Sequence, residues 1–410
     1  MVVMSIAKLE QSMNTFKQGT KEVPFEKVKD DYYFTPAFGN VGIVVTDEGV
    51  VVVDSTLSKI QAEGILEKIK SVTEQPVKYL IYTHGHVDHV GGASVFTNEG
   101  AKIIAHRNVI NRLDKYQELD KFHYLINKRQ FATNFEETRS MNEFEYPDIV
   151  FDQEYVFQLG GKTFHLIHGK GETDDHTIIH VPEDDVVFTG DFLVRSFPNV
   201  GNPAKDIRYA KEWAIMMGKI RDLHPKITIP GHGPVITDSA EFDKVTIGFQ
   251  DAMTFVQENV VHYLNEGKSL EDMIELIKLP SHLKENPYLQ QFYGCLDFAI
   301  RGTYRRYTGW YDGNPTNLLP EKQSVISQEI VALIGDESKI LEQAQSLMTQ
   351  KRQRLALHLV DYIIQSNGKE KHEALKLKAE VLLYLSENEE NFMRKNIYAN
   401  AAEEIKNQLA

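Results

Sequence analysis

This chain of 410 residues has a single cysteine, Cys295. An intramolecular disulfide is thereby excluded, and any metal site must draw on histidine, aspartate and glutamate rather than on thiolates. Cys295 itself reads as a small buried apolar residue. No segment approaches the roughly 20 apolar residues of a membrane span. The stretch from Met1 to Gln18 lacks the apolar core and small-residue cleavage site of an export signal, so the expectation is a soluble cytoplasmic protein. Positive charge is scarce: 45 Lys and Arg face 59 Asp and Glu, for a formal net charge of −14. That balance argues against a nucleic-acid binder, which would need a basic footprint. It also means that an anionic substrate must be drawn in by a local cationic pocket rather than by the overall field. The hydrophobic fraction, 42%, is ordinary for a globular protein. The length allows two or three domains with substantial cores.

What the chain does contain is concentrated in Thr83-His84-Gly85-His86-Val87-Asp88-His89-Val90-Gly91-Gly92. Three imidazoles and a carboxylate fall within six positions, directly after the apolar run Val77-Lys78-Tyr79-Leu80-Ile81-Tyr82. Such a run followed by Thr and Gly reads as a buried strand that ends in a tight loop. There the imidazole nitrogens and the aspartate oxygen can converge on a divalent cation of borderline softness, of which zinc is the best fit. A lone histidine is usually a satisfied core or surface residue, but four potential ligands in this pattern are not an accident of composition.

The pattern resembles the metallo-β-lactamase superfamily, whose hallmark is His-x-His-x-Asp-His after a strand. The similarity continues downstream: Gly171-Glu172-Thr173 falls where that family usually has Gly-His-Thr, Phe188-Thr189-Gly190-Asp191 matches its strand-end aspartate, and Pro230-Gly231-His232-Gly233 matches its last histidine. Order and spacing fit from about residue 35 to residue 237. The resemblance implies a two-metal hydrolase. His84, His86 and Glu172 would hold the first ion, Asp88, His89 and His232 the second, and Asp191 would bridge them together with a hydroxide. Zinc, manganese and iron all suit this set, zinc best. Asp88, beside the nucleophile, would orient the hydroxide and shuttle its proton. Glu172 is the departure: a carboxylate in place of an imidazole adds negative charge and a harder oxygen donor. The alternative third ligands in its vicinity are His168 and His176.

Alternating elements frame these motifs. Gly42 to Val45 and Val50 to Val53 read as a hairpin around Thr46-Asp47-Glu48-Gly49, ending at Asp54, which the resemblance casts as a support for the histidine loop rather than a ligand. Helical spacing follows over Ala62 to Val72. Residues 111–147 carry an aromatic every few positions (Tyr116, Phe122, Tyr124, Phe131, Phe135, Phe144, Tyr146) and read as a helical and irregular insertion that walls the site. Strands resume at 149–151, 164–167, 176–181 and 185–189, and a helix over 205–223 precedes the strand that delivers His232. The expected fold class is α/β: an αββα metallo-β-lactamase sandwich over residues 1–240, followed by an all-α helical domain over 241–410. In that second part Val245, Phe249, Met253, Val256 and Val260 make an amphipathic face, Ser269 caps a helix, and paired helices from residue 337 onward have a tetratricopeptide-like look.

The second half is itself similar to the alkylsulfatases within the superfamily. Arg305-Arg306-Tyr307-Thr308-Gly309-Trp310-Tyr311-Asp312-Gly313-Asn314-Pro315 resembles the tract that joins their catalytic and dimerisation domains, and Glu390 to Tyr398 resembles the last helix of the latter. The resemblance implies a homodimer through the helical domain and a small anionic ester, an alkyl or aryl sulfate, as substrate. The bridging Asp191, where alkylsulfatases carry Glu, and the expected absence of their C-terminal lipid-binding domain leave room for a lactone, thioester or phosphate-ester hydrolase of the same fold. A non-hydrolytic, metal-stabilised binding scaffold is the third possibility. Candidate anion contacts are Arg305 and Tyr307 on one tract and Asn199 and Arg208 on another, with Arg195 and Lys205 nearby, because guanidinium and hydroxyl groups suit tetrahedral oxyanions. The competing reading gives the arginines of this tract interface ion pairs, as domain junctions are rich in them, and packs the neighbouring aromatics in the core.

Overall fold

The computed structural model describes residues 20–131 and 144–410. The β-branched runs become strands, and the strands build two sheets. The first contains, in sequence order, β1 (Glu26–Lys29), β2 (Tyr32–Thr35), β3 (Val41–Thr46), β4 (Gly49–Val53), β5 (Val77–Ile81), β6 (Lys102–His106) and β7 (Ile149–Phe151). Pairing is antiparallel from β1 to β4 and parallel from β4 to β7. The second sheet contains β8 (Glu154–Leu159), β9 (Lys162–His168), β10 (Thr177–Val181), β11 (Val186–Val194) and β12 (Ile227–His232), in the order β12-β11-β10-β9-β8. Within it β11 and β12 are parallel.

The inner faces of the two sheets share one core, in which Val44, Val51 and Ile81 meet Phe164, Leu166, Ile179 and Phe188. Helices cover the outer faces, as parallel-strand crossovers require. Helix Lys59–Val72 links β4 to β5, capped by Ser58, whose side chain accepts from the Gln61 N–H. Helix Ala210–Asp222 links β11 to β12 and buries Trp213 against Phe192 and the helix Ser239–Asn265. The architecture is the αββα sandwich followed by helices. Two details differ from the sequence reading: the helix expected over 205–223 begins only at Ala210, and β1 and β2 add a hairpin that the residue pattern did not announce.

By their contacts the described residues form two compact units. Residues 20–124 and 144–308 make the first, so the helices Ser239–Asn265 and Leu296–Tyr307 belong with the sandwich. Residues 125–131 and 309–410 make the second. Its helices Glu337–Thr349 and Gln353–Ser366 pack as a pair around Ile340, Ala344, Leu347, Ala356, Val360 and Ile363, and Lys371–Glu387 packs on Phe392–Leu409 through Ala379, Leu382, Ala402 and Ile405. The region 111–147 is helical over Asn108–Glu118 and Asp120–Phe131, while Phe135 lies outside the described residues, as does the stretch from Met1 to Gln18. Among the described residues no helix is long and apolar enough to cross a membrane.

Candidate metal centre

Four chain segments deliver polar groups to one edge of the sandwich: the loop after β5, the β9–β10 loop, the C-terminal part of β11 and the end of β12. The donor atoms fall into two sets. His84 Nε2 and His86 Nδ1 are 2.9 Å apart, with Asp191 Oδ2 at 3.7 Å from the first and Glu172 Oε1 at 3.9 Å from the second. In the other set, Asp88 Oδ2 lies 3.4 Å from His89 Nε2 and 3.3 Å from His232 Nε2, and Asp191 Oδ1 lies 3.3 Å from each of those nitrogens. One carboxylate therefore gives one oxygen to each set. Groups able to hold a metal ion include His86, Glu172 and Asp191, and Asp88, His89 and His232, with His84 joining Asp191 and His89.

The ring orientations are fixed from behind, as metal-ligating imidazoles require. Asp54 accepts from the Thr83 N–H at 2.8 Å, from the Thr83 hydroxyl at 2.8 Å and from His89 Nδ1 at 2.8 Å, so His89 Nε2 turns inward. The Thr83 hydroxyl, having donated to Asp54, accepts from His84 Nδ1 at 3.1 Å and turns His84 Nε2 inward as well. Among the described residues His89 Nε2 and Asp191 Oδ1 are buried without a well-formed hydrogen bond and face each other at 3.3 Å, an under-satisfaction that costs about 1–3 kcal/mol per group. A shared divalent cation removes that cost, and the all-N/O donor set suits zinc, manganese or iron. The residues fit a pair of divalent ions.

Electrostatics point the same way. Burial pulls His84 and His86 well below the ordinary histidine range, leaving neutral rings. Burial opposes charge on Asp88 and Asp191, yet His89 and His232 outweigh it and hold both carboxylates low. The same carboxylates lift His89, and lift His232 to about 10, against the burial that would lower them. Protons on those rings are answering a demand for positive charge between Asp88 and Asp191. Glu172 is pushed up by burial, an effect that Arg208 opposes and Asp191 adds to.

Of the anion contacts expected from sequence, the fold brings in one pair. The buried Arg208 guanidinium is ion-paired with Glu172 and donates to the Asn199 carbonyl at 2.9 Å, while the Asn199 amide donates to Glu172 Oε1 at 3.3 Å. Arg305 and Tyr307 are not brought there. Both are exposed, Arg305 donating to the Lys205 carbonyl at 3.5 Å and the Tyr307 hydroxyl accepting from Gln257 at 2.8 Å. Arg301 and Arg306 pair with Asp297 and Glu212, both within the first unit, and Arg195 pairs with Glu241 at 2.7 Å. His168 and His176 are also otherwise engaged: His168 stacks on His106, and His176 Nε2 accepts from the Asp191 N–H at 3.1 Å. The sequence reading missed Tyr293, whose hydroxyl is pushed up first by burial and then by the field of Glu172. The loop that presents Asn199 runs backbone to backbone against the helix Leu296–Tyr307: a Cβ on Gly201 would collide with the Phe298 carbonyl, and one on Gly302 with Gly201 itself.

Residues 34–232 match the profile of the Metallo-beta-lactamase superfamily, and residues 269–408 match that of Alkyl sulfatase dimerisation. This chain joins a metallo-β-lactamase domain to an alkylsulfatase dimerisation domain. Its relatives among characterised proteins include a linear primary-alkylsulfatase of Pseudomonas, 24% identical over 393 residues that make up 90% of this chain and 74% of the relative. An (R)-specific secondary-alkylsulfatase of Pseudomonas is 24% identical over 401 residues, covering 90% of this chain and 60% of its own length. The chain thus spans three quarters of one relative and less than two thirds of the other. In fold it superposes on a stereoselective inverting sec-alkylsulfatase of Pseudomonas with a TM-score of 0.83 over 94% of this chain and 66% of that one, at 20% identity.

Proposed function

We propose that this metallo-β-lactamase-fold chain is a metal-dependent hydrolase of alkyl or aryl sulfate esters. The observation that carries the choice of substrate class is Arg208 with Asn199, a permanent cation and an amide buried at the edge of a seven-residue donor cluster. The names of the relatives support it. His84, His86 and Glu172 would hold one divalent ion and Asp88, His89 and His232 a second, with Asp191 shared and zinc favoured. When bound, such ions lower the pKa of a coordinated water from its bulk value towards about 7 and oppose the charge that grows on the ester oxygens.

The protein's own groups do the rest. Asp88, at the edge of the cluster beside the place of the attacking water, would orient that water and take its proton. Arg208 and Asn199 fix the sulfate through the guanidinium and the amide. Burial of these dipoles raises their effect on the reacting group, since they need not reorganise as charge develops.

The test is a turnover panel of alkyl sulfate, aryl sulfate, phosphate ester, lactone and thioester with zinc-loaded protein. Preferential sulfate hydrolysis that Arg208→Met weakens chiefly through KM supports the reading. Preferential lactone or thioester turnover, insensitive to Arg208, overturns it in favour of the second reading, which the shared Asp191 supports. The helical unit is proposed to pair two copies of the chain, supported by the match of residues 269–408 to the alkyl sulfatase dimerisation profile, with Trp310, Leu319 and Leu333, 77%, 92% and 89% exposed, as the side chains to be covered.

A further inference from the structure

Asp54 supports both donor sets, His89 directly and His84 through the Thr83 hydroxyl, and the turn carrying His232 is held by Asn40, whose side chain donates to the carbonyls of Pro230 at 2.9 Å and Gly233 at 2.8 Å. The His84–His86 side has a support of its own. Fully buried Asp175 accepts from the Gly85 N–H at 2.7 Å through Oδ2 and from Arg112 Nε at 3.2 Å through Oδ1. Arg112 extends from the helix Asn108–Glu118 and also donates to Asp174 at 2.7 Å, and Asn108 from the same helix donates to that carboxylate at 3.0 Å.

Asp175 stands three residues after Glu172, and Gly85 stands between His84 and His86. One carboxylate thereby ties the loop carrying two imidazoles to the loop carrying the opposing carboxylate. Gly85 has no room for a side chain because of this tie: a Cβ there would lie 2.9 Å from Arg112 Cδ and 3.0 Å from Asp175 Oδ2. The pair Asp174-Asp175 also explains a pattern that the metal ligands leave over. Arg112 sits in the region read from sequence only as a wall of the site, yet its guanidinium is largely buried and answers two carboxylates at once.

We propose that Asp175, braced by Arg112, is a positioning residue that sets the spacing of His84 and His86 against Glu172, and so governs occupancy of the first metal position without governing the second. The inference rests on the ligand reading above. Outer partners of this kind typically control metal affinity by about 10- to 100-fold.

The experiment is Zn2+ titration of the full chain under chelator competition, read as two separate affinities. Circular dichroism and melting of the metal-free protein serve as the check on folding. Asp175→Asn keeps an acceptor for the Gly85 N–H but loses the ion pair with Arg112. It is expected to weaken one Zn2+ by about 10- to 100-fold and leave the other within about twofold. Gly85→Ala leaves Asp175 in place and wedges the tie apart, so it gives the same one-site loss even where Asp175→Asn fails to fold. Combined with His86→Ala, either variant adds little further loss, and combined with His232→Ala it leaves both positions weakened, the first by the same about 10- to 100-fold as alone. Equal weakening of both ions, or full retention of both in the two variants, overturns the proposal. Retention of two ions by His86→Ala and His232→Ala themselves would instead sink the ligand reading and leave the geometry of the tie untouched.

Discussion

The two units of this chain spend their buried space in opposite ways. In the sandwich, seven ionisable side chains crowd one edge, two of their polar atoms lack a well-formed hydrogen bond, and rigid neighbours such as Asp54 and Asp175 hold them in place. In the helical unit the main cluster is Ile, Ala, Leu and Val, its buried polar groups are uncharged Ser, Asn and Gln, and large apolar groups stand outside in water. The first region pays stability for chemistry, whereas the second keeps an ordinary core and leaves surface for a partner. Substitutions should therefore fail differently in the two.

The largest effect is expected at Asp191. Asp191→Asn removes the carboxylate shared by both donor sets, and turnover of the sulfate ester should fall by about 10⁴-fold, equivalent to ~5 kcal/mol of barrier. No substitution in the helical unit should approach that figure, and steady-state kinetics with metal analysis compares them directly. Next comes the packing of the sandwich. Trp213→Ala empties a fully buried site and should cost about 3–5 kcal/mol by urea unfolding, against about 2–4 kcal/mol for Ile363→Ala in the second core. A single transition shared by both variants would break the contrast between units.

A smaller effect concerns pH. His168 is pushed down to about 4, chiefly by burial and then by His106, which stacks on it with ring centroids 3.7 Å apart. The folded-state value lies below the unfolded value of about 6.5, so the fold prefers the neutral ring. Its contribution is fully present above pH 6.5 and is lost as pH falls from there towards 4, on the order of 1–2 kcal/mol after allowance for partial exposure. His168→Gln should flatten the melting temperature across that window. Least costly for the folded chain are Leu319→Glu and Leu333→Glu, expected to change its stability by under about 0.5 kcal/mol while light scattering shows dimers giving way to monomers. Unchanged mass in both would remove this surface from the proposed interface.

Much of the centre is written locally. The histidine loop, the β3–β4 hairpin and Asp54 were legible because strand patterning and the ligand spacing lie within a few residues of one another. Asp175 and Arg112 were not, because their meaning comes from Gly85, 90 residues before the one and 27 before the other, and charged side chains in loops and on helices usually face solvent. Tyr293 was hidden for the same reason. The basic tract from Arg301 to Tyr307 misled in the opposite direction. Its composition suits an oxyanion, yet the helix carrying it turns Arg305 and Tyr307 outward and gives Arg306 to Glu212. Periodicity likewise revealed an amphipathic helix at Val245 to Val260 without revealing that its apolar face joins Trp213 and Phe192.

The backbone crossing at Gly201 and Gly302 has a consequence for how such a protein can diverge. Nothing but main chain separates the loop bearing Asn199 from its supporting helix, so no side chain there can be enlarged without moving the helix. On the proposed function, the end that would face the anion is closed to gradual retuning by point changes along that seam. Phe38 lies outside the seam, its ring edge-on to His232 and half-buried, and is a position where specificity could change stepwise. Descendants of such an enzyme would keep the Asn199 loop as it is and differ around Phe38.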